Sequence, residues 1–184
     1  MKPEFYLDIN LRGQSDLDID PMTTRNAVFS VLHGAFRAKP KIFALALPKG
    51  QPNLLRVFAT YEAELVWLIE AISSHWKVRD YAKLSNVHKV GEHTGSWSIY
   101  SRFRIPTVKS DRNAAEGVSN LRDRRLKEAN SKKLASFKIS SASNRQSFTV
   151  FVNAETVYKP DGFDAVPDGY GLSRTQNRVP LPDL

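Results

Sequence analysis

"DPMTTRNAVFSVLHGAFRAKPKIFALALP", residues 20–48, changes its period partway along. Up to Phe36 the apolar residues recur at helical spacing, with Val28, Val31, Leu32, Ala35 and Phe36 on one stripe. Asp20 is a good N-cap residue. Pro21 suits the first helical position, where no amide N–H is needed. The helix has to stop before Pro40, because the residue preceding a proline is pushed out of the helical region. "KIFALALP" (41–48) then reads as a strand.

The flanks extend this pattern. Upstream, "EFYLDINLR" (4–12) alternates, with Phe5, Leu7, Ile9 and Leu11 on one side, as in a half-buried strand. Downstream, the turn-prone "KGQPN" leads into a further strand, "LLRVFAT" (54–60). Thr60 can cap the helix beginning "YEAELVWLIEAISSHW", whose first turn holds Glu62 and Glu64 near its positive end. Its buried stripe is Leu65, Leu68, Ile69 and Ile72, and "YAKLSNVHKV" (81–90) returns to alternation. The order β-α-β-β-α-β predicts an α+β chain with a ferredoxin-like first domain, an antiparallel sheet with helices on one face. That fold hosts many functions and by itself selects none.

"GEHTG" (91–95) marks a boundary, giving a ferredoxin-like domain at 1–93 and a smaller domain at 94–184. The second part is expected to hold a strand at 96–105, a basic helix near 111–130 and a β-hairpin over 132–154 that turns near Asn144 and Arg145. Its Gly/Pro-punctuated tail is irregular, with a short strand around Tyr170 to Ser173.

Charge is distributed unevenly. Residues 101–145 carry twelve Lys/Arg against four Asp/Glu, which accounts for the whole net charge of +8. A local positive field on a neutral body suits a polyanion, nucleic acid above all. The absence of cysteine excludes disulfide frameworks, thiolate metal sites and cysteine nucleophiles. No apolar run is long enough to span a bilayer and "MKPEFYLDIN" has no signal-peptide core, so the expectation is a cytoplasmic protein with no membrane partner.

In "EGVSNLRDRRLKEANSKK" (116–133), Arg122 and Arg125 fall within about 40° of Val118, inside the apolar arc. Either they run past a thin apolar contact, or the inward face of the helix is shared with a polyanion. His33 lies about 100° from Leu32, at the shoulder of its helix, so its expected pKa is an ordinary one near ~6.5. Such a group can exchange a proton near neutrality, and helical phase alone also allows a merely structural histidine.

"FYLDINL", "VLHGAF", "SRFR", "SASNRQSF" and "GYGLS", in that order along the chain, resemble the type I-F CRISPR precursor-RNA-processing endoribonucleases. The resemblance implies a repeat-specific enzyme that needs no metal or cofactor, in keeping with four scattered histidines (His33, His75, His88, His93) without ligand spacing. It implies cleavage at the foot of the repeat hairpin by the RNA's own 2′-OH, leaving a 2′,3′-cyclic phosphate and a 5′-OH. The implied partners are the CRISPR repeat stem-loop, as precursor and retained guide RNA, and the other subunits of the type I-F surveillance complex.

Carried onto this chain, the resemblance makes His33 the proton-transfer group, Ser141 or Ser143 the serine that positions the 2′-OH, and Tyr170 the residue that orders the site. Arg102 and Arg104 would read bases in the major groove, Phe148 would stack on the end base pair, and Arg122, Arg124 and Arg125 would lie along the stem. The Arg/Arg base-reading pair departs from the family's pattern, in which one side chain is an amide, and bidentate arginine favours guanine. Asp123 and Glu128 dilute the basic helix. The alternative reading is a non-catalytic hairpin-RNA-binding or structural subunit of a ribonucleoprotein complex.

Overall fold

The computed structural model describes residues 1–12, 20–106, 121–140, 147–158, 160 and 162–184. It divides into two compact units, Met1–Ser101 with Ala154–Leu184, and Arg102–Asn153. The irregular stretch 91–95, where the domain boundary is expected, separates the fourth strand from the fifth. The chain leaves the first unit within the fifth strand and returns to it within the seventh.

In the first unit, β1 (Phe5–Leu11), β2 (Ala44–Ala46), β3 (Leu54–Ala59) and β4 (Ala82–Lys89) form an antiparallel sheet in the order β2-β3-β1-β4. This is the ferredoxin-like arrangement. Register follows the apolar alternation: Leu7 faces Val57 and Ile9 faces Leu55 across β1 and β3, and Leu7, Ile9, Leu55 and Val57 are fully buried. Each such side chain contributes roughly 1.5–3 kcal/mol by leaving water.

Helix α1 (Pro21–Ala38) starts as its sequence dictates. The Asp20 carboxylate accepts the Thr23 N–H at 3.0 Å, Pro21 is the first residue, and the helix stops before Pro40. Phe29 joins Val28, Leu32 and Phe36 in the buried stripe, while Val31 and Ala35 are only half-buried. The stripe is therefore centred nearer Phe29 than the spacing predicts. β2 is shorter than its apolar run, and Lys41, just before that run, takes a positive φ of 69°.

The second helical region also departs from expectation. Helix α2 (Glu62–Ser73) has Tyr61, not Thr60, at its N-cap, and the Tyr61 N–H donates to Glu64 Oε2 at 3.0 Å. A short helix α3 (Trp76–Tyr81) follows, with His75 Nδ1 accepting the Lys77 N–H at 3.2 Å. Residues 77–80 carry no apolar stripe that announces it, since only Val78 is buried. Helix α1 packs against α3, and α1 and α2 both pack on β1.

The tail completes this unit. β5 (Trp97–Phe103) pairs antiparallel with β8 (Pro180–Pro182) through Trp97↔Pro182, Ser98↔Leu181 and Ile99↔Pro180. The expected strand at 170–173 reduces to one bridge, Ser101↔Ser173, and β8 takes its place as the tail's strand. Arg56, 7% exposed, donates to Asp8 at 2.6 and 2.9 Å and to the Leu184 carbonyl at 2.9 Å.

In the second unit, α4 (Leu121–Ser131) and the hairpin β6 (Ala135–Ser140) and β7 (Ser147–Val157) bury Ala129, Phe137, Ile139, Val150 and Val152. Phe137 faces Val150 and Ile139 faces Phe148. The hairpin turn expected at Asn144 and Arg145, and the basic helix before Leu121, lie outside the described residues.

The Arg56–Asp8 pair makes a direct prediction. Asp8→Ala leaves a buried guanidinium without its carboxylate and should cost about 3 kcal/mol in urea unfolding. Asp8→Ala with Arg56→Met should recover most of that loss.

Candidate active site

His33 stands on α1, half-buried, one residue past the fully buried Leu32. Its Nδ1 lies 2.7 Å from the Gly169 carbonyl oxygen. A carbonyl can only accept, so Nδ1 carries the hydrogen, and the neutral ring keeps its lone pair on Nε2. Tyr170 stacks on the imidazole with ring centroids 4.4 Å apart and planes 9° from parallel. The ring is thus held at one edge and across one face.

Burial pushes the His33 pKa down, and the positive charge of Arg37 adds to the effect. The Gly169 hydrogen bond and the Asp168 carboxylate work against both. The shoulder position is as helical phase predicts, but the group is less basic than the ordinary histidine expected there. Its neutral form therefore persists to lower pH.

The loop that carries Gly169 and Tyr170 is built by Asp168. Its carboxylate accepts the N–H groups of Tyr170 at 2.8 Å and Leu172 at 3.1 Å. Its backbone N–H donates to the Leu172 carbonyl at 2.8 Å, and its carbonyl accepts from the Gly171 N–H at 3.0 Å. The Leu45 N–H then donates to the Gly171 carbonyl at 2.8 Å, tying the loop to the edge strand β2. Gly171 has φ +75°, and a Cβ there would stand 2.9 Å from Phe36 Cε2 and 3.0 Å from the Leu45 nitrogen. Only glycine fits both the angle and the space. Leu172 is fully buried, and the Ser173 hydroxyl accepts the Val179 N–H at 3.0 Å.

His33 and Tyr170 are therefore brought together. Ser141 and Ser143 lie outside the described residues. The other expected site residues belong to the second unit. Arg102 is half-buried at the end of β5, Arg104 is exposed just beyond it, and Phe148 is half-buried on β7. On α4, the Arg122 guanidinium donates to the Pro106 carbonyl at 2.7 Å. Arg125 lies 4.9 Å over the Phe103 ring and 3.6 Å from Glu128. These two arginines follow the side of the helix that carries Ala129, with their heads against protein groups, whereas Arg124 and Lys127 are exposed.

The other histidines have local partners: His75 caps α3, His88 stacks on Tyr6 at 5.2 Å, and His93 Nε2 lies 2.8 Å from the Ser96 carbonyl. Among the described residues no group of three or more His, Cys, Asp or Glu is arranged to hold a metal ion, and no helix is long and apolar enough to cross a membrane. Sequence reading missed Asp168, the Gly169 carbonyl and Gly171. Their available signal was "PDGYG", a turn-forming Asp-Gly followed by a second glycine.

The two glycines beside the site should behave oppositely. A Cβ on Gly171 is strained, so Gly171→Ala should lower stability by about 1–3 kcal/mol. A Cβ on Gly34 meets nothing within 4 Å, so Gly34→Ala should raise stability by up to about 1 kcal/mol. Thermal unfolding of the two variants checks both signs.

A family model described as CRISPR-associated protein (Cas_Csy4) matches residues 6–182. No curated protein matches the chain. The family match runs from β1 through β8 and takes in α1, both compact units and the loop over His33. The chain belongs to the Cas_Csy4 family of CRISPR-associated RNA-processing proteins.

Proposed function

We propose that the protein is a repeat-specific endoribonuclease that cuts precursor CRISPR RNA at the foot of the repeat hairpin without a metal ion and keeps the product. The observation that carries this reading is the His33 ring, held by the Gly169 carbonyl and Tyr170 with its pKa lowered. A lone pair on Nε2 near neutral pH is what removal of a 2′-OH proton requires. The 2′-oxygen attacks the adjoining phosphorus, the bond from phosphorus to the 5′-oxygen breaks, and a 2′,3′-cyclic phosphate forms. The proton taken by the imidazole balances the one the departing 5′-oxygen needs. No water is consumed and no electrons change hands.

Tyr170 acts on this scheme through its ring, by fixing the plane of the imidazole. A serine from 141–143 positions the 2′-OH. In the second unit, Arg102 and Arg104 read base edges, Phe148 stacks on the end base pair, and Arg124 meets stem phosphates with help from Arg122 and Arg125. After cleavage the protein stays on the guide RNA as a subunit of the type I-F surveillance complex, in the cytoplasm.

Incubation with candidate repeat hairpins in EDTA, followed by end-group analysis, tests the chemistry. The expected products are a cyclic phosphate and a 5′-OH. His33→Ala should lose about 10²–10⁴-fold in cleavage rate while hairpin binding is kept. Tyr170→Phe keeps the stacked ring and should retain most of the rate, whereas Tyr170→Ala should not. Retained cleavage in His33→Ala would remove the imidazole from the chemistry.

The pH dependence has a defined sign. A base is active once deprotonated, so the rate should rise with pH through the His33 pKa. Because burial and Arg37 lower that value, the rise should be centred below the ordinary ~6.5 of a histidine. Arg37→Ala removes one of the lowering causes and should move the rise upward.

A further inference from the structure

The α1 face that carries His33 continues in both directions. Ser30 and Arg37 stand three residues before and four after His33, so all three project from one side of the helix. Arg37 is exposed, and its charge is felt at His33. On the other side, Lys77 Nζ donates to Ser30 Oγ at 3.3 Å. The same ammonium lies 5.8 Å over the Trp76 ring. Trp76 is 51% exposed, with its ring 5.8 Å from Tyr81 in an edge contact and 6.2 Å from His75. Two cations therefore bracket His33 along one helix face, and an open indole stands at the Lys77 end.

Val78 is the buried anchor of α3, and Trp76 leaves half of its apolar surface in water. Trp76 and Arg37 would also suit a protein interface, but both cations lie along the helix face that carries His33, which favours a phosphate-bearing strand. A cation row ending in an exposed aromatic is the arrangement that tracks single-stranded nucleic acid, with phosphates on the cations and bases on the ring. Ser30 and His33 are about 4.5 Å apart along the helix axis. That puts Lys77 within reach of the nucleotides adjoining whichever phosphate sits at His33.

We propose that Arg37, Lys77 and Trp76 form a grip for the single-stranded RNA that flanks the cut, the two cations on phosphates and Trp76 stacked on an unpaired base. The inference rests on the endoribonuclease reading only for what occupies His33. It extends that site beyond the hairpin, and it makes the flank a contributor to substrate binding.

The test uses the full-length chain, low salt and an oligoadenylate of about twelve nucleotides, within the usual footprint of such platforms. Titration should quench tryptophan fluorescence. Trp76→Phe should abolish the quench while keeping affinity, because phenylalanine still stacks. Trp97→Phe should leave it. Trp76→Ala should bind about tenfold more weakly, and Lys77→Met or Arg37→Met should flatten the salt dependence. Circular dichroism confirms that each variant is folded.

An undiminished quench in Trp76→Phe, wild-type affinity in Trp76→Ala, or no binding by the wild-type chain would each overturn the grip. A second arm compares repeat hairpins with and without a single-stranded flank. If no hairpin is cut, the endoribonuclease reading fails, while the fluorescence arm still decides the grip.

Discussion

A missing side chain sets the geometry around His33. At Gly171 the backbone takes a left-handed turn directly against Phe36 and the Leu45 amide, with no space for a Cβ. That close approach lets the Leu45 N–H reach the Gly171 carbonyl, which adds the tail loop to the edge of the sheet. Asp168 then closes the loop on itself, and Gly169 and Tyr170 are left at the edge and the face of the imidazole. The histidine comes from the first helix and its supports from the last segment of the chain. A contact spanning 136 residues in sequence thus decides which nitrogen carries the proton.

The same contact explains why the histidine sits where it does on its helix. A fully buried imidazole would lie among Phe29, Leu32 and Phe36 with no partner for its ring nitrogens. A fully exposed one would titrate as in water. At the shoulder, half of the ring is desolvated and one nitrogen is satisfied by a backbone carbonyl. Desolvation lowers the pKa, the Gly169 hydrogen bond opposes it only in part, and that hydrogen bond keeps Nδ1 from being orphaned. Arg37, one helical turn further on, contributes to that lowering and belongs to the proposed grip, so one residue links basicity to RNA binding.

Much of this was legible from sequence where the signal was local and periodic. Asp20, Pro21 and Pro40 bound α1 as their chemistry requires, alternation in 4–12 marks β1, and 54–60 forms a strand as expected. Helical phase alone placed His33 at the shoulder. What was not legible was non-local. The start of α2 at Glu62 depends on Glu64 reaching back to Tyr61, and α3 has too few buried residues to show a stripe. β8 is a strand because β5 offers it an edge, not because "PLP" favours one. The Gly169 carbonyl has no side chain to reveal it, and only the resemblance brought Tyr170 to the helix. On α4, phase put Arg122 and Arg125 in the apolar arc, and the structure gives them protein partners there.

The central claim is that His33 is a neutral imidazole with its hydrogen on Nδ1 and its lone pair on Nε2. Nitrogen NMR of the four ring pairs across a pH titration measures this directly. The account predicts the Nδ1–H tautomer for His33 and a titration midpoint below the ordinary histidine value. The opposite tautomer, or a midpoint at or above that value, would contradict it.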